Sequence, residues 1–270
     1  MDQVNNEEEA STAVANKQYV QRADNAPLPQ NRGADDQTRA KVKRPARERK
    51  KLVRFELLHS MTIEERRQYL LAEEAQKRER QRMLERTLSA TDGVQRLAID
   101  LNFDAIMNDK ELRSLAKQMK LSYGSVKQMA TPFQLHFLNC SEPLQQSLAR
   151  FSADKWRVHW HHDAHVTDIV APSDVVYLSP DSPNVLTALD ATKIYVIGGI
   201  VDKSRKKGAT LNAATSAGVT TARLPIQEYI TERLDHILNV NTVVDVLISF
   251  QKTGDWAHAL THTLPQWRGV

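Results

Sequence analysis

The sequence predicts an α/β domain with a mainly parallel sheet, preceded by a charged N-terminal region. From Arg96 onward, apolar segments of about five residues alternate with segments whose apolar side chains recur at helical spacing, which is typical of parallel α/β folds. The charge distribution separates the two regions. Residues 41–86 hold 15 Lys and Arg against 8 Asp and Glu, whereas residues 87–270 hold 18 of each. The sequence therefore indicates a neutral folded domain with a basic extension.

The N-terminal region has two parts. Residues 1–40 carry a net charge of −3 and no periodic aliphatic pattern, so we predict a disordered tail. Residues 41–90 form a predicted basic helical arm, in which eight of the residues 41–54 are Lys or Arg. Thr62 and Glu65 form a capping box at the start of a long charged helix that ends near Leu88. The folded domain is predicted over residues 91–270.

Hydrophobic periodicity predicts the elements of this domain. A helix is expected over 109–119, because Leu112, Leu115 and Met119 fall on one face. The other predicted helices are 143–151, 211–217, 241–252 and one that begins at 255–256. The predicted strands are 96–100, 134–138, 157–160, 174–178, 193–197 and 221–224.

Glycine or proline follows three of these strands. The sequences at the three ends are Ser179-Pro180-Asp181, Gly198-Gly199 and Leu224-Pro225. Glycine allows the backbone to approach a ligand closely, proline turns the chain sharply, and parallel sheets bind ligands at the carboxyl ends of their strands. We therefore predict one composite pocket at these three strand ends.

Distinctive blocks of sequence occur along residues 99–266. They are Ile-Asp-Leu-Asn-Phe-Asp-Ala-Ile-Met (99–107), Lys-Glu-Leu-Arg-Ser-Leu-Ala-Lys-Gln (110–118), Val-Val-Tyr-Leu-Ser-Pro-Asp-Ser-Pro-Asn-Val-Leu (175–186), Tyr-Val-Ile-Gly-Gly-Ile-Val-Asp-Lys-Ser (195–204), Ala-Arg-Leu-Pro-Ile (222–226), Leu-Asn-Val-Asn-Thr-Val (238–243), Thr-Gly-Asp-Trp (253–256) and Leu-Pro-Gln (264–266). In this order, they resemble the tRNA position-9 purine methyltransferases, a branch of the SPOUT superfamily.

The resemblance implies a SPOUT-type parallel sheet with a C-terminal trefoil knot, an exception to the usual absence of knots. It also implies a monomer that uses S-adenosylmethionine to methylate ring nitrogen 1 of the purine at position 9 of tRNA. Guanine is the expected purine, and adenine stays open. The residues that match the family's cofactor-binding motifs are Leu178, Gly198, Asp202, Lys203, Ser204, Arg205, Lys206, Thr210, Leu224, Leu238, Asn239, Val240 and Asn241.

Asp202 resembles the family's proposed general base. Guanine N1 carries a proton, so a base assists its attack on the methyl group, whereas adenine N1 offers a free lone pair. An aspartate of ordinary pKa is a weak base, so either burial raises the pKa of Asp202 or this residue only positions the substrate. A turn cap or a cofactor contact is the structural alternative. The secondary catalytic candidates are Asp181, Asp100 and Asp104, with turn or helix-start roles as alternatives for Asp181 and Asp104.

Basic residues indicate contacts with tRNA. The run 41–54 is a nuclear import signal, a nonspecific RNA-binding segment, or both, and such segments supply salt-dependent affinity. The candidates within this run are Lys43, Arg44, Arg47, Lys50 and Lys51. Lys207 belongs to a basic cluster after Asp202 and is either a phosphate contact or a solvated loop residue. Further candidates by resemblance are Gln118, Lys120 and Lys127. The sequence lacks the family's Asn-Arg pair after Tyr123, and the family's Pro-Gln-Arg-Lys-Gly ending is Pro-Gln-Trp-Arg-Gly here.

Composition argues against other classes of protein. No run of eighteen apolar residues occurs, so we expect no membrane span. The single cysteine, Cys140, precludes an internal disulfide and is expected to be buried, in a protein of the cytosol or nucleus. The segment His159–His165 holds four histidines without a cysteine or acidic framework, so no metal site is predicted.

Two other functions stay open at this stage. The first is a noncatalytic knotted RNA-binding scaffold in a tRNA-processing complex, which would keep the fold without transferring a methyl group. The second is a doubly wound enzyme for another nucleotide. Only Gly198-Gly199 suggests the second, and the sequence contains neither G-x-G-x-x-G nor a P-loop.

Overall fold

Helix α1 (Ala46–Ser60) forms the described part of a first structural unit. The computed structural model describes residues 46–201, 207–231 and 236–264, and the chain divides into two units after Thr62. Glu48 lies in the first turn of α1, where its negative charge suits the helix dipole. The apolar side chains of Val53 and Phe55 are exposed on this helix.

A parallel sheet organises the second unit. Within the described ranges it has six strands in the order β3-β2-β1-β5-β4-β6, and every pairing is parallel. The strands are β1 (Arg96–Asp100), β2 (Gln134–Leu138), β3 (His159–His161), β4 (Val175–Leu178), β5 (Ile194–Gly198) and β6 (Thr220–Ala222). The predicted α/β fold with a parallel sheet is therefore confirmed, and each strand lies within two residues of its predicted bounds.

Helices cover both faces of this sheet. Their bounds are α2 (Ile63–Ser89), α3 (Asp109–Val126), α4 (Glu142–Ala149), α5 (Ala209–Ser216), α6 (Ile226–Tyr229), α7 (Val240–Thr253) and α8 (Trp256–Thr263). Helix α3 starts with a capping box between Asn108 and Glu111. It is longer than predicted, because its buried face continues through Tyr123 and Val126. The short helix α6 was not predicted.

The C-terminal end of α2 is attached to the edge of the sheet. Most of α2 is exposed, as expected for a solvated helix, but Leu84 and Thr87 are buried. The side-chain amide of Gln134 donates hydrogen bonds to the carbonyls of Thr87 and Ala90, both at 2.9 Å, and to that of Leu88 at 3.1 Å. These bonds satisfy carbonyl groups that the end of a helix otherwise leaves unpaired.

Histidines from β2 and β3 pack together beside this attachment. His136 is buried and stacks on His159 and His161, with 3.0 Å between His136 Nδ1 and His161 Nε2. His136 Nε2 lies 3.2 Å from Gln134 Oε1, and His159 Nε2 lies 2.9 Å from the Leu88 carbonyl. Burial, together with the neighbouring His159, His161 and Arg96, lowers the pKa of His136 to about 3. Among the described residues, no three His, Cys, Asp or Glu side chains are placed to hold a metal ion.

The core fills both faces of the sheet. The larger cluster includes α3 and α7, and its members Leu115, Met119 and Val244 are fully buried. Cys140 is buried as predicted, and this burial raises the pKa of its thiol to about 12, with Asp104 contributing. In the part of the chain that the structure describes, no helix is long and apolar enough to cross a membrane.

Candidate ligand site at three strand ends

The three strand ends that were expected to form a pocket lie side by side. Strand β4 pairs with β5 on one side and with β6 on the other, so that Leu178 is opposite both Ile197 and Ala222. Beyond these ends lies a cavity of about 460 Å³. This volume is within the range of small-molecule sites, roughly 300–1,000 Å³.

Most of the described residues from the predicted cofactor set line this cavity. Those that do are Leu178, Gly198, Thr210, Leu224, Leu238, Asn239 and Val240. Asp181 and Lys207, predicted for other roles, also line it. Asn241 does not.

The glycine pair after β5 is required by close packing. A Cβ atom on Gly198 would lie 2.3 Å from Thr210 Cγ2. A Cβ atom on Gly199 would lie 2.7 Å from Leu101 Cδ2 and 2.8 Å from the Asp100 carbonyl oxygen. Gly198 therefore allows helix α5 to pack closely against the end of β5. Gly199 allows the chain that follows β5 to lie close to the end of β1.

Polar side chains connect the end of β4 to the start of α5. The hydroxyl of Thr210 donates a hydrogen bond of 2.8 Å to the hydroxyl of Ser179, and both residues are buried. The carboxylate of Asp181 accepts a hydrogen bond of 2.9 Å from the backbone amide of Gly208, the N-cap of α5. Asp181 thus stabilises the loop geometry on this side of the cavity, which agrees with the structural alternative given for it.

The opposite side of the cavity comes from a segment that sequence reasoning covered only in part. Residues missed there include Arg223, Ile226, His236, Thr242 and Val243. Arg223 forms a two-point ion pair with Glu228, with N–O distances of 2.9 and 2.6 Å, and this pairing lowers the pKa of Glu228. Two signals were available for these residues. The blocks 222–226 and 238–243 carry part of the family resemblance, and the helical spacing of Val240, Val243 and Val244 indicates a packed face but not a ligand.

Two secondary catalytic candidates lie outside this cavity and have structural roles. The carboxylate of Asp100 accepts hydrogen bonds from the Tyr177 hydroxyl at 2.9 Å and from the Asn102 amide at 3.1 Å. Asp104 begins a 3₁₀ turn, the helix-start role that was its alternative. Neither residue lines the cavity.

The predicted RNA contacts differ in their exposure. Lys51 is exposed on α1. Lys120 is exposed on α3, and its ammonium lies 4.9 Å from the centre of the Phe151 ring. Lys127 is half-buried at the end of α3, with its ammonium above the Tyr123 ring. Gln118 is different, because it is buried and bonded to the backbone of Val240. The structure gives this side chain a partner within the protein, and the expectation that Gln118 contacts RNA stays a prediction.

Other predicted residues lie outside the described residues. They are Asp202, Lys203, Ser204, Arg205 and Lys206, together with Lys43 and Arg44. The side chains of Arg47 and Lys50 are likewise not described, although both residues belong to α1. The flanking residues Val201 and Lys207 both line the cavity.

Comparison with known proteins identifies the family. The model of the family described as tRNA (guanine(9)-N(1))-methyltransferase TRM10/TRM10A matches residues 28–269. The chain belongs to this family. tRNA methyltransferase 10 homolog A of Mus musculus is 35% identical over 179 residues, which cover 65% of this chain and 54% of that protein. The tRNA (guanine(9)-N1)-methyltransferase of Schizosaccharomyces pombe is 34% identical over 180 residues, covering 65% and 59%. The chain thus spans about half the length of the curated relatives that it matches.

Solved Trm10 structures have the same fold. A crystal structure described as spTrm10 (full length) in complex with SAH is 34% identical, with a TM-score of 0.59, and the match covers 64% of this chain and 98% of that chain. A dual-specific Trm10 from Thermococcus kodakaraensis, at 19% identity and a TM-score of 0.53, supports the fold alone. The predicted SPOUT fold is therefore confirmed for the sheet, whereas the trefoil knot and the N-terminal arm stay predictions.

Proposed function

We propose that this chain transfers a methyl group from S-adenosylmethionine to ring nitrogen 1 of the purine at position 9 of tRNA, guanine in preference to adenine. The observation that carries the proposal is the cavity at the ends of β4, β5 and β6, in a chain of the TRM10/TRM10A family. A related Trm10 was crystallised with SAH, the product that remains when S-adenosylmethionine loses its methyl group.

The cavity fits a nucleoside-containing methyl donor. Its walls include the aliphatic side chains of Leu178, Ile197, Leu224, Leu238 and Val240, which suit an adenine ring. Main-chain groups at the strand ends and the hydroxyls of the cavity wall provide hydrogen-bonding partners for ribose and amino-acid groups. When bound, S-adenosylmethionine supplies an electrophilic methyl group on its sulfonium.

The residues of the chain would then orient the target base and accept its proton. Asp202 is proposed for this role, either as the base that removes the N1 proton of guanine or as a group that positions the purine. Asp202 follows Val201, a residue of the cavity wall. A neutral adenine needs no proton removal, so replacing Asp202 by asparagine should slow guanine methylation more than adenine methylation.

A basic stripe on α3 is the proposed surface for tRNA. Lys110, Arg113, Lys117 and Lys120 are exposed and recur at intervals of three and four residues, which places them along one face of the helix. The stripe is about 15 Å long, from the rise of 1.5 Å per residue. Cations held on a rigid helix can each neutralise a phosphate, and such contacts make affinity depend on salt.

Two measurements test the proposal. Calorimetry with S-adenosylhomocysteine should show binding, and mass spectrometry of nucleosides from an unmodified tRNA incubated with the protein should show 1-methylguanosine at position 9. Donor binding without methylation of any tRNA would favour the scaffold function, and absence of donor binding would refute the proposed methyl transfer. For the stripe, replacing Arg113 and Lys117 by glutamine should reduce the slope of log affinity against log salt by about two. A Lys252→Gln control on α7 should leave that slope unchanged.

A further inference from the structure

Gln118 forms a buried polar link between α3 and α7. Its side chain is 6% exposed, and its Oε1 accepts a hydrogen bond of 2.9 Å from the backbone amide of Val240. Its Nε2 donates to the Ser114 hydroxyl at 3.3 Å. Val240 is the first residue of α7, where backbone amides have no partner within the helix. The N-cap residue Asn239 makes no side-chain hydrogen bond to these amides, so Gln118 serves as the cap from a different helix.

The amide that Gln118 binds belongs to the wall of the cavity. Leu238, Asn239 and Val240 line the cavity in sequence, and α7 continues the wall with Thr242 and Val243. The position of Val240 in turn depends on a hydrogen bond to a residue 122 positions earlier in the chain. The side chain of Gln118 therefore acts on the cavity through the main chain of its wall.

We propose that Gln118 is a positioning residue, which fixes the main chain of 238–240 in the geometry that binds the methyl donor. This inference rests on the proposed function, because it assigns the donor to the cavity. It also means that α3 contributes to both substrate sites. Its buried face holds residues 238–240, and its exposed face carries the basic stripe of Lys110, Arg113, Lys117 and Lys120.

The size of the effect follows from the buried amide. Replacing Gln118 by methionine keeps the length of the side chain but removes the acceptor, so the Val240 amide is left buried without a partner. Such a loss corresponds to a change of about tenfold in an equilibrium constant. We therefore expect the dissociation constant for S-adenosylhomocysteine to rise about tenfold in Gln118→Met. Gln118→Glu retains an acceptor at the same reach and should recover part of this affinity.

The experiment uses the full chain and reads donor binding, tRNA binding and local order separately. Calorimetry with S-adenosylhomocysteine and a tRNA titration are performed on the wild type, Gln118→Met, Gln118→Glu and Ser114→Ala. Hydrogen–deuterium exchange of residues 238–243 is measured without ligand. Ser114→Ala is the matched control, because it removes the other partner of Gln118 and leaves the bond to Val240 intact.

The expected result is weakened donor binding and faster exchange in Gln118→Met, with tRNA affinity and the Ser114→Ala control both within about twofold of the wild type. Wild-type donor affinity and exchange combined with weaker tRNA binding would overturn the proposal and make Gln118 a direct RNA contact. Failure of the wild type to bind the donor would instead refute the proposed function. If Gln118→Met does not fold, hydrogen–deuterium exchange of residues 238–243 is compared between Gln118→Glu and a further variant without an acceptor, Gln118→Leu. Equal exchange in these two variants would overturn the link between Gln118 and Val240.

Discussion

Replacing Gly198 by alanine should destabilise the domain, because the added methyl group has no room. The new Cβ would lie 2.3 Å from Thr210 Cγ2, well inside the contact distance of two carbon atoms. Thr210 cannot easily move away, since it is buried in the first turns of α5 and its hydroxyl is bonded to Ser179 at 2.8 Å. Overpacking of this kind costs about 1–3 kcal/mol, and we expect Gly198→Ala to lower the free energy of unfolding by that amount.

A second substitution can relieve this clash selectively. Thr210→Ser removes Cγ2 but keeps the hydroxyl that bonds to Ser179, so the double variant Gly198→Ala, Thr210→Ser should regain most of the lost stability. Gly199→Ala is the matched control. Its Cβ would meet the backbone oxygen of Asp100 at 2.8 Å, and a backbone atom cannot be trimmed. Thr210→Ser should therefore give no recovery in the Gly199→Ala background.

Urea unfolding of the five variants, followed by circular dichroism, measures these effects as a double-mutant cycle. The expected coupling between positions 198 and 210 is at least about 1 kcal/mol, with none between 199 and 210. Additive effects at positions 198 and 210 would refute the contact. Calorimetry with S-adenosylhomocysteine on the double variant then separates packing from binding, since restored stability with lost affinity would show that the ligand itself needs the space above Gly198.

Two further predictions concern the side chains of His136 and Tyr177. The pKa of His136 falls from 6.5 to about 3 in the folded state. The unfolded chain therefore takes up a proton near pH 6.5, while the folded chain does not. Stability that is present above pH 6.5 is consequently lost as the pH falls. Linkage gives a loss of about 2 kcal/mol from His136 at pH 5. Thermal unfolding should show this loss for the wild type and for the exposed control His162→Gln. The loss should be smaller for His136→Gln, in which the lowered pKa of His161 still contributes. Tyr177→Phe removes the hydrogen bond to Asp100 and should cost about 1–2 kcal/mol in urea unfolding. Donor affinity should stay within about twofold of the wild type, and a larger loss would restore Asp100 as a candidate for the site.

The parts of the fold that depend on local pattern were predictable from the sequence. Strands such as β1 and β5 are short apolar runs between polar turns, because a parallel sheet covered on both faces must be apolar on both sides of each strand. The ends of β4, β5 and β6 were predictable as a pocket for a related reason. Glycine and proline at a strand end are uncommon without a close approach or a sharp turn, and parallel strands place all their carboxyl ends at one edge.

The rest of the site depends on contacts between distant residues, which local pattern does not contain. Gln118 was an RNA-contact candidate by resemblance, yet its side chain accepts a hydrogen bond from Val240 on another helix. Asp100 was a secondary catalytic candidate, but its carboxylate accepts a hydrogen bond from the Tyr177 hydroxyl. Only the three-dimensional arrangement shows these partners.

On the proposed function, helix α3 links the two substrates of the reaction. Its buried side holds the Val240 amide in the donor cavity, and its exposed side presents the cations proposed to bind tRNA. Any movement of α3 that tRNA induces would therefore be transmitted to residues 238–240. Linkage requires the effect to be reciprocal, so a factor by which tRNA changes donor affinity must equal the factor by which the donor changes tRNA affinity. If the bond from Gln118 carries this effect, Gln118→Met should reduce both factors together towards one, even where the affinities themselves change by different amounts.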